Sequence, residues 1–218
     1  MLYSVVINLD HREDRLMQFT ESMDSFSGLY GHVHRLPAIK DTLLPALGCL
    51  KSHIAALTNF LCYSEESFVA IFEDDFRFKG NPEIIQPWLD DASWWDAILL
   101  TGTLVTRYDK VIDNVSKVLQ AQSAAGYIVR RDYVPKLIYC LSKYLPVFEE
   151  LKKVEDTAKR DLYSFGCNDQ SWKELQRIDR WYIANPLIGH QVESFSDIAG
   201  TTANYTAREE LQKIISNS

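Results

Sequence analysis

A chain of 218 residues, 46% hydrophobic and 12% aromatic, can bury one sizeable core, so a single domain is expected over 1–218. Its formal charge of −7 argues against general nucleic-acid binding and against charge-driven docking on anionic lipid. No stretch reaches the ~18 uninterrupted apolar residues of a membrane span, and the opening MLYSVVINLDHRED turns charged too early for a signal peptide.

In chain order, the β-branched run Tyr3 to Leu9 reads as a buried strand. Leu16, Phe19, Met23 and Phe26 then recur at helical spacing, with Asp10 as the expected cap. Tyr30 to Ile39 resembles a second strand that ends or reaches an edge at Pro37. Pro45 and Gly48 open a long helix with Leu50, Ile54, Leu57 and Leu61 on one face. A third strand, the stretch Phe68 to Phe78, precedes a turn at Asn81-Pro82 and a short helix over Ile84 to Leu89. Further strands are expected over Asp96 to Leu100, Ala125 to Val129 and Trp181 to Ala184, and helices over Tyr133 to Leu145 and Asp169 to Leu175. Residues 149–162 suit a loop and a surface helix equally, and 186–205 lack periodicity.

Strands alternating with helices imply an α/β sandwich around a mostly parallel, mixed sheet, in which ligands bind beyond the carboxyl ends of the strands. Two segments lie at such ends: Asp10 to Arg15, and the acidic run of FVAIFEDDFRF, Glu73-Asp74-Asp75. Three adjacent carboxylates at the end of a core strand repel one another unless a cation sits among them. An oxygen-rich cluster suits Mg²⁺ or Mn²⁺. Strand alternation sends Glu73 and Asp75 one way and Asp74 the other, and Asp75, nearest the open crevice, is the first choice as direct ligand. Arg12 and Arg15, one turn on from the first strand, suit a phosphate grip, and equally surface ion pairs with Glu13 and Asp14. The four cysteines, Cys49, Cys62, Cys140 and Cys167, form no CxxC pair; they read as small core residues of a reducing compartment, with no structural zinc site.

The order VINLDHREDR, GCLKSHIAAL, AIFEDDFRF, DAILLTG, AGYIVRRDYVPKL and IANPLIGHQVESFSDI resembles glycosyltransferase family 25, which contains lipooligosaccharide and collagen galactosyltransferases. The resemblance spans nearly the whole chain. It implies a GT-A-type fold with a nucleotide-sugar and metal half (about 1–102) and an acceptor half (about 103–218). It also implies a UDP-sugar donor, galactose or glucose, and Mn²⁺ or Mg²⁺ held by Asp75. The acceptor would be a glycan, a lipid-linked sugar or a hydroxylated side chain, and the anomeric configuration would invert. By position, Asn8, Asp10, Arg12 and Arg15 would border the nucleotide, Ser52 and His53 match a Ser-His pair, and Glu73 and Asp74 complete the acidic motif. Tyr127 and Asp197 match an aromatic strand position and the terminal SDI. His190 lies where GT-A enzymes supply a second metal ligand.

Inversion in one displacement needs a base for the acceptor hydroxyl. Asp169, in GCNDQSW, is the expected base, with a helix N-cap as its alternative role. His53 reads either as a hydrogen-bonded core histidine or as a group near the donor. Trp172, beside Asp169, is the expected sugar-stacking surface, whereas Trp88, Trp94, Trp95 and Trp181 read as packing residues.

A sugar nucleotidyltransferase needs a glycine-rich loop after the first strand; NLDHREDR has none, and no P-loop occurs. The rival from another class is a binding module of the same fold that holds a nucleotide-sugar or glycan without turnover. The absence of a targeting segment fits a cytoplasmic bacterial or viral protein, free or peripheral to a membrane, and fits equally a chain from which such a segment has been removed.

Overall fold

The computed structural model describes residues 2–26, 28, 31–112, 114–154, 168–192, 194–196 and 201–203. Strand β1 (Leu2–Asn8) leads to helix α1 (Glu13–Met23), and β2 (Val33–Pro37) to the long α2 (Pro45–Tyr63). Strands β3 (Phe68–Glu73) and β4 (Phe76–Phe78) flank the two-residue turn Asp74-Asp75. Helix α3 (Gln86–Asp90) and strand β5 (Ala97–Leu99) precede a hairpin of β6 (Thr103–Ile112) and β7 (Val115–Gln122). Strand β8 (Gly126–Arg130), helices α4 (Val134–Ser142) and α5 (Leu145–Leu151), and helices α6 (Asn168–Ser171) and α7 (Lys173–Ile178) follow. The described chain ends with β9 (Trp181–Ala184), β10 (Gly189–Gln191) and a short antiparallel pair, β11 (Ser194–Ser196) and β12 (Thr201–Ala203).

Eight strands form one sheet in the order β2-β1-β3-β8-β5-β9-β7-β6. Parallel pairing joins β1 to β2, β1 to β3 and β5 to β9. The ladders β3·β8, β5·β8, β7·β9 and β6·β7 are antiparallel, so the sheet is mixed and its second half is less parallel than strand–helix alternation implied. The difference arises at β8, which runs antiparallel to both its neighbours, and at residues 103–122, a hairpin without a strand assignment from sequence. Its turn is carried by Asn114 at φ 62°, a left-handed conformation that asparagine tolerates better than most residues.

Successive strand residues point to opposite faces, and the two faces build two cores. On one, Val5, Ile7, Val69, Ile71, Leu99 and Val129 pack under Leu47, Leu50, Leu57 and Phe60 of α2 and Leu137 and Leu141 of α4. On the other, Val6, Ala70, Phe72, Ile98 and Ile128 meet Phe19 and Met23 of α1 and Trp88. The central strands are buried on both faces, which explains their unbroken apolar runs. Helix α2 starts at Pro45, where a missing N–H costs nothing. Asp41 accepts from the Leu43 and Leu44 amides at 3.1 and 2.9 Å just ahead of it. Asp10 does not cap α1. The chain first makes a turn (Arg12 N to Leu9 O, 2.8 Å), Arg12 takes the cap position without a side-chain bond, and the Asp10 carboxylate pairs with Arg35 at 2.6 Å. Among the described residues no helix is long and apolar enough to cross a membrane.

Strand β10 pairs antiparallel with β4, which brings a distant segment beside the acidic turn. The fully buried Phe76 ring makes this junction possible. A Cβ added at Gly189 would lie 2.0 Å from the ring, and one added at Gly126 would lie 2.5 Å from it. Gly189→Ala is therefore expected to destabilise the fold by roughly 1–3 kcal/mol through overpacking, read as a lower midpoint in urea unfolding.

Candidate functional site

The acidic run divides its three side chains between different partners. Glu73, the last residue of β3, faces α2: its Oε1 lies 3.2 Å from His53 Nε2 and 3.8 Å from Cys49 Sγ. Asp74 turns to the other side, where Oδ2 accepts from Asn8 Nδ2 at 2.8 Å and Oδ1 from Arg15 Nη1 at 3.0 Å. Both oxygens of Asp74 are therefore engaged inside the fold. Asp75 is different. It is only 8% exposed, and its Oδ1 has no hydrogen-bond partner among the described residues. Burial first, then the neighbouring charge of Glu73, pushes its carboxyl up to about 7, while a hydrogen bond from Gln191 favours the charged form. A buried carboxylate oxygen without a partner is costly unless a cation completes it.

The turn itself is held rigidly. Arg77 Nη1 donates to the carbonyls of Asp74 and Phe76, both at 2.8 Å, and Nη2 to Gln18 Oε1 at 2.7 Å. The Val192 amide donates to the Asp75 carbonyl at 3.0 Å. Arg15, Ser52, His53, Glu73, Asp74 and Asp75 line a cavity of about 340 Å³, together with Cys49, Gln191 and the 38–42 loop. This volume suits a small organic ligand. Ser52 pins the cavity wall: its Oγ donates to the Gly48 carbonyl and accepts from the Ile39 amide, each at 2.8 Å. Gly48 lets that loop cross the helix, since a Cβ there would stand 2.4 Å from the Ile39 carbonyl oxygen.

His53 is fully buried, and its Nδ1 lies 2.9 Å from the hydroxyl of the equally buried Tyr127. Tyr127 thus stands behind His53 rather than on the cavity wall, and burial holds its phenol protonated by raising its pKa well above the usual value. Asn8 supports Asp74 and accepts from Arg35 Nε at 3.0 Å. Asp10 is 81% exposed in its pair with Arg35, and Arg12 pairs with Asp14 at 3.1 Å; neither lines the cavity. Of the two arginines proposed as a phosphate grip, the structure brings Arg15 alone to it.

Asp169 sits at the start of α6, and its Oδ2 accepts from the Ser123 amide at 3.0 Å. The Ser123 hydroxyl donates to Gln191 Oε1 at 2.9 Å, so Asp169 connects through Ser123 and Gln191 to Asp75. Burial, then the charge of Glu73, raises the Asp169 pKa, while the Ser123 amide opposes the rise.

Two expectations change. Trp172 is not a surface platform. It is fully buried, with its ring 5.0 Å from Tyr127 and 5.1 Å from Trp181, because the chain breaks between α6 and α7 and drives the indole under the sheet. Trp172→Ala is expected to cost about 3–5 kcal/mol as a core cavity, measured by chemical denaturation. His190 pairs with Arg77 in the ladder, and alternation places it on the strand face opposite Gln191, the residue that lines the cavity. Asp197 and Cys167 lie outside the described residues.

Sequence reasoning missed Gln191, Cys49 and Arg77. Cys49 had a signal, its i, i+4 spacing to His53 on a helix. Gln191 had none, since only the β4–β10 pairing brings it to the turn.

No family model matches the sequence, and no curated protein matches it either; the likeness to family 25 therefore stands on its motifs alone. Solved structures do match. The STIV protein A197 is similar with a TM-score of 0.52 at 10% identity, over 93% of this chain and 94% of that one. Mannose-1-phosphate geranyltransferase from Thermus thermophilus is similar with a TM-score of 0.51 at 8% identity, over 91% and 76%. A glycosyltransferase involved in glycosylation of the major capsid of PBCV-1 gives a TM-score of 0.47 at 7% identity, over 97% and 98%. The fold, a mixed sheet flanked by helices, is of the GT-A type.

Proposed function

We propose that this protein is a divalent-metal-dependent glycosyltransferase that moves a hexose, galactose or glucose, from a UDP-sugar to a hydroxyl of a glycan, a lipid-linked sugar or a modified side chain, with inversion. The reading rests on one observation above all: a buried, partner-less carboxylate oxygen of Asp75 at the mouth of a cavity, where β1 and β3 end. The GT-A-type fold and the family 25 motif order support it.

The donor set fits a hard cation. Asp75 offers a free oxygen and Glu73 a second carboxylate, both on the cavity wall. Mn²⁺ or Mg²⁺ bound there supplies Lewis-acid neutralisation of the charge that develops on a diphosphate leaving group. Arg15 adds a fixed positive charge on the same wall, held in place by Asp74. The apolar and backbone surface of the 38–42 loop, pinned by Ser52, bounds the nucleotide and keeps water away from it. Asp169 takes the proton of the acceptor hydroxyl. Its raised pKa makes it a stronger base than a solvated aspartate, and the Ser123 amide fixes the orientation of the carboxylate.

The test is UDP release. With Mn²⁺ and UDP-galactose or UDP-glucose, slow donor hydrolysis is expected without acceptor, and a chelator should stop it. If calorimetry with Mn²⁺ detects uptake of no UDP-sugar, the reading fails. Uptake without release from any donor would indicate the binding module instead.

A further inference from the structure

The same cavity wall holds a second donor set whose chemistry differs from that of Asp75. Cys49 and His53 stand four residues apart on α2, so their side chains project from one face of the helix. Glu73 approaches that face from the end of β3. One ligand atom from each, Cys49 Sγ, His53 Nε2 and a Glu73 carboxylate oxygen, all lie within 4.8 Å of one another.

The two separations measured to Glu73 are close to those of a tetrahedral coordination shell. With zinc-like bond lengths of 2.0–2.3 Å, two ligand atoms at a tetrahedral angle stand about 3.4 Å apart for N and O and about 3.6 Å for S and O. The observed values are 3.2 Å from His53 Nε2 to Glu73 Oε1 and 3.8 Å from Cys49 Sγ to the same oxygen. The outer support that metal-bound histidines have is present too. The far nitrogen, Nδ1, lies 2.9 Å from the Tyr127 hydroxyl, whose ring stacks on the imidazole at 5.7 Å and 16°. With Nδ1–H donating to the Tyr127 oxygen, the Nε2 lone pair points at the shared position. All three residues line the cavity, so a fourth position opens to an exchangeable ligand.

We propose that Cys49, His53 and Glu73 form a binding site for a thiophilic divalent ion of the zinc class, which shares Glu73 with the all-oxygen Asp75 position but differs from it in metal preference. A thiolate and an imidazole select zinc, cobalt or cadmium over magnesium or manganese. Binding displaces the thiol proton of Cys49, so a proton is released as the ion enters. This inference does not depend on the transfer reading, because it concerns affinity for the metal alone.

Cobalt(II) reports the site directly. Titrating the whole protein with Co²⁺ is expected to give the near-ultraviolet absorption of a thiolate-to-cobalt transition and the strong visible bands of a four-coordinate ion, both erased by Zn²⁺. Cys49→Ser should remove the thiolate band. Cys62→Ser, Cys140→Ser and Cys167→Ser should each keep it, and so should Asp75→Asn, which separates this site from the acidic turn. Tyr127→Phe keeps the buried ring and should weaken Co²⁺ binding by roughly tenfold. No thiolate band in the wild type, or a band that survives Cys49→Ser or disappears with one of the other cysteines, overturns the proposal. Should Cys49→Ser fail to fold, unchanged Co²⁺ affinity in both Tyr127→Phe and Glu73→Gln overturns it instead.

Discussion

Asp75→Asn is expected to lower UDP release from a UDP-hexose about 10³-fold, equivalent to about 4 kcal/mol of transition-state stabilisation. The substitution keeps the shape of the side chain and its contact with Gln191 but removes the charge that the cavity offers to a cation. The same change should have the opposite effect on stability. Without metal, the wild-type carboxylate is buried, lacks a partner on Oδ1 and faces the charge of Glu73. Relieving that arrangement should stabilise the metal-free protein by roughly 1–3 kcal/mol, seen as a higher melting temperature in the presence of a chelator. Lost activity together with a raised melting point would mark Asp75 as a functional residue held at a cost to the fold. A variant that loses both activity and stability would make Asp75 a structural residue and weaken the metal reading.

Asp169→Asn is the second large effect. Removing a general base typically costs 10²–10⁴-fold in rate, and a loss of about that size is expected in transfer to acceptor, with binding of UDP-sugar unchanged in calorimetry. Asparagine can still accept from the Ser123 amide, so the bond that orients residue 169 survives the substitution. Transfer at wild-type rates would eliminate Asp169 as the base. Equal losses of donor binding and transfer would make it a positioning residue that acts through Ser123 and Gln191.

The fold was readable wherever burial on both faces writes an unbroken apolar run, as in VVIN, FVAIF and AIL. It was unreadable at residues 103–122, where β6 and β7 mix charged and β-branched residues and declare themselves only through the turn at Asn114. The acidic site was legible because three carboxylates at a strand end conflict with their surroundings unless something compensates them, and alternation along the strand correctly separated Asp74 from Glu73. Gln191 was not legible, since its proximity to the acids depends on the pairing of β10 with β4; Cys49 carried only its spacing to His53, and its approach to Glu73 depends on the contact between α2 and β3. His190 shows how small the margin is: a single residue step along β10 exchanges the side chain that meets the cavity for the one that turns away. For Trp172, residue type suggested a sugar contact, and the packing of Tyr127 and Trp181 decided otherwise.

The place of β8 in the sheet has a consequence for protein engineering. It lies between β3 and β5, so a fragment limited to residues 1–102 would retain all three carboxylates while β5 had no strand beside it. Such a fragment would also lack β10, which closes over the acidic turn and supplies Gln191. Grafting the first half onto a foreign acceptor module should therefore yield insoluble material, and chimeras of this protein need their crossover outside the span from β1 to β10.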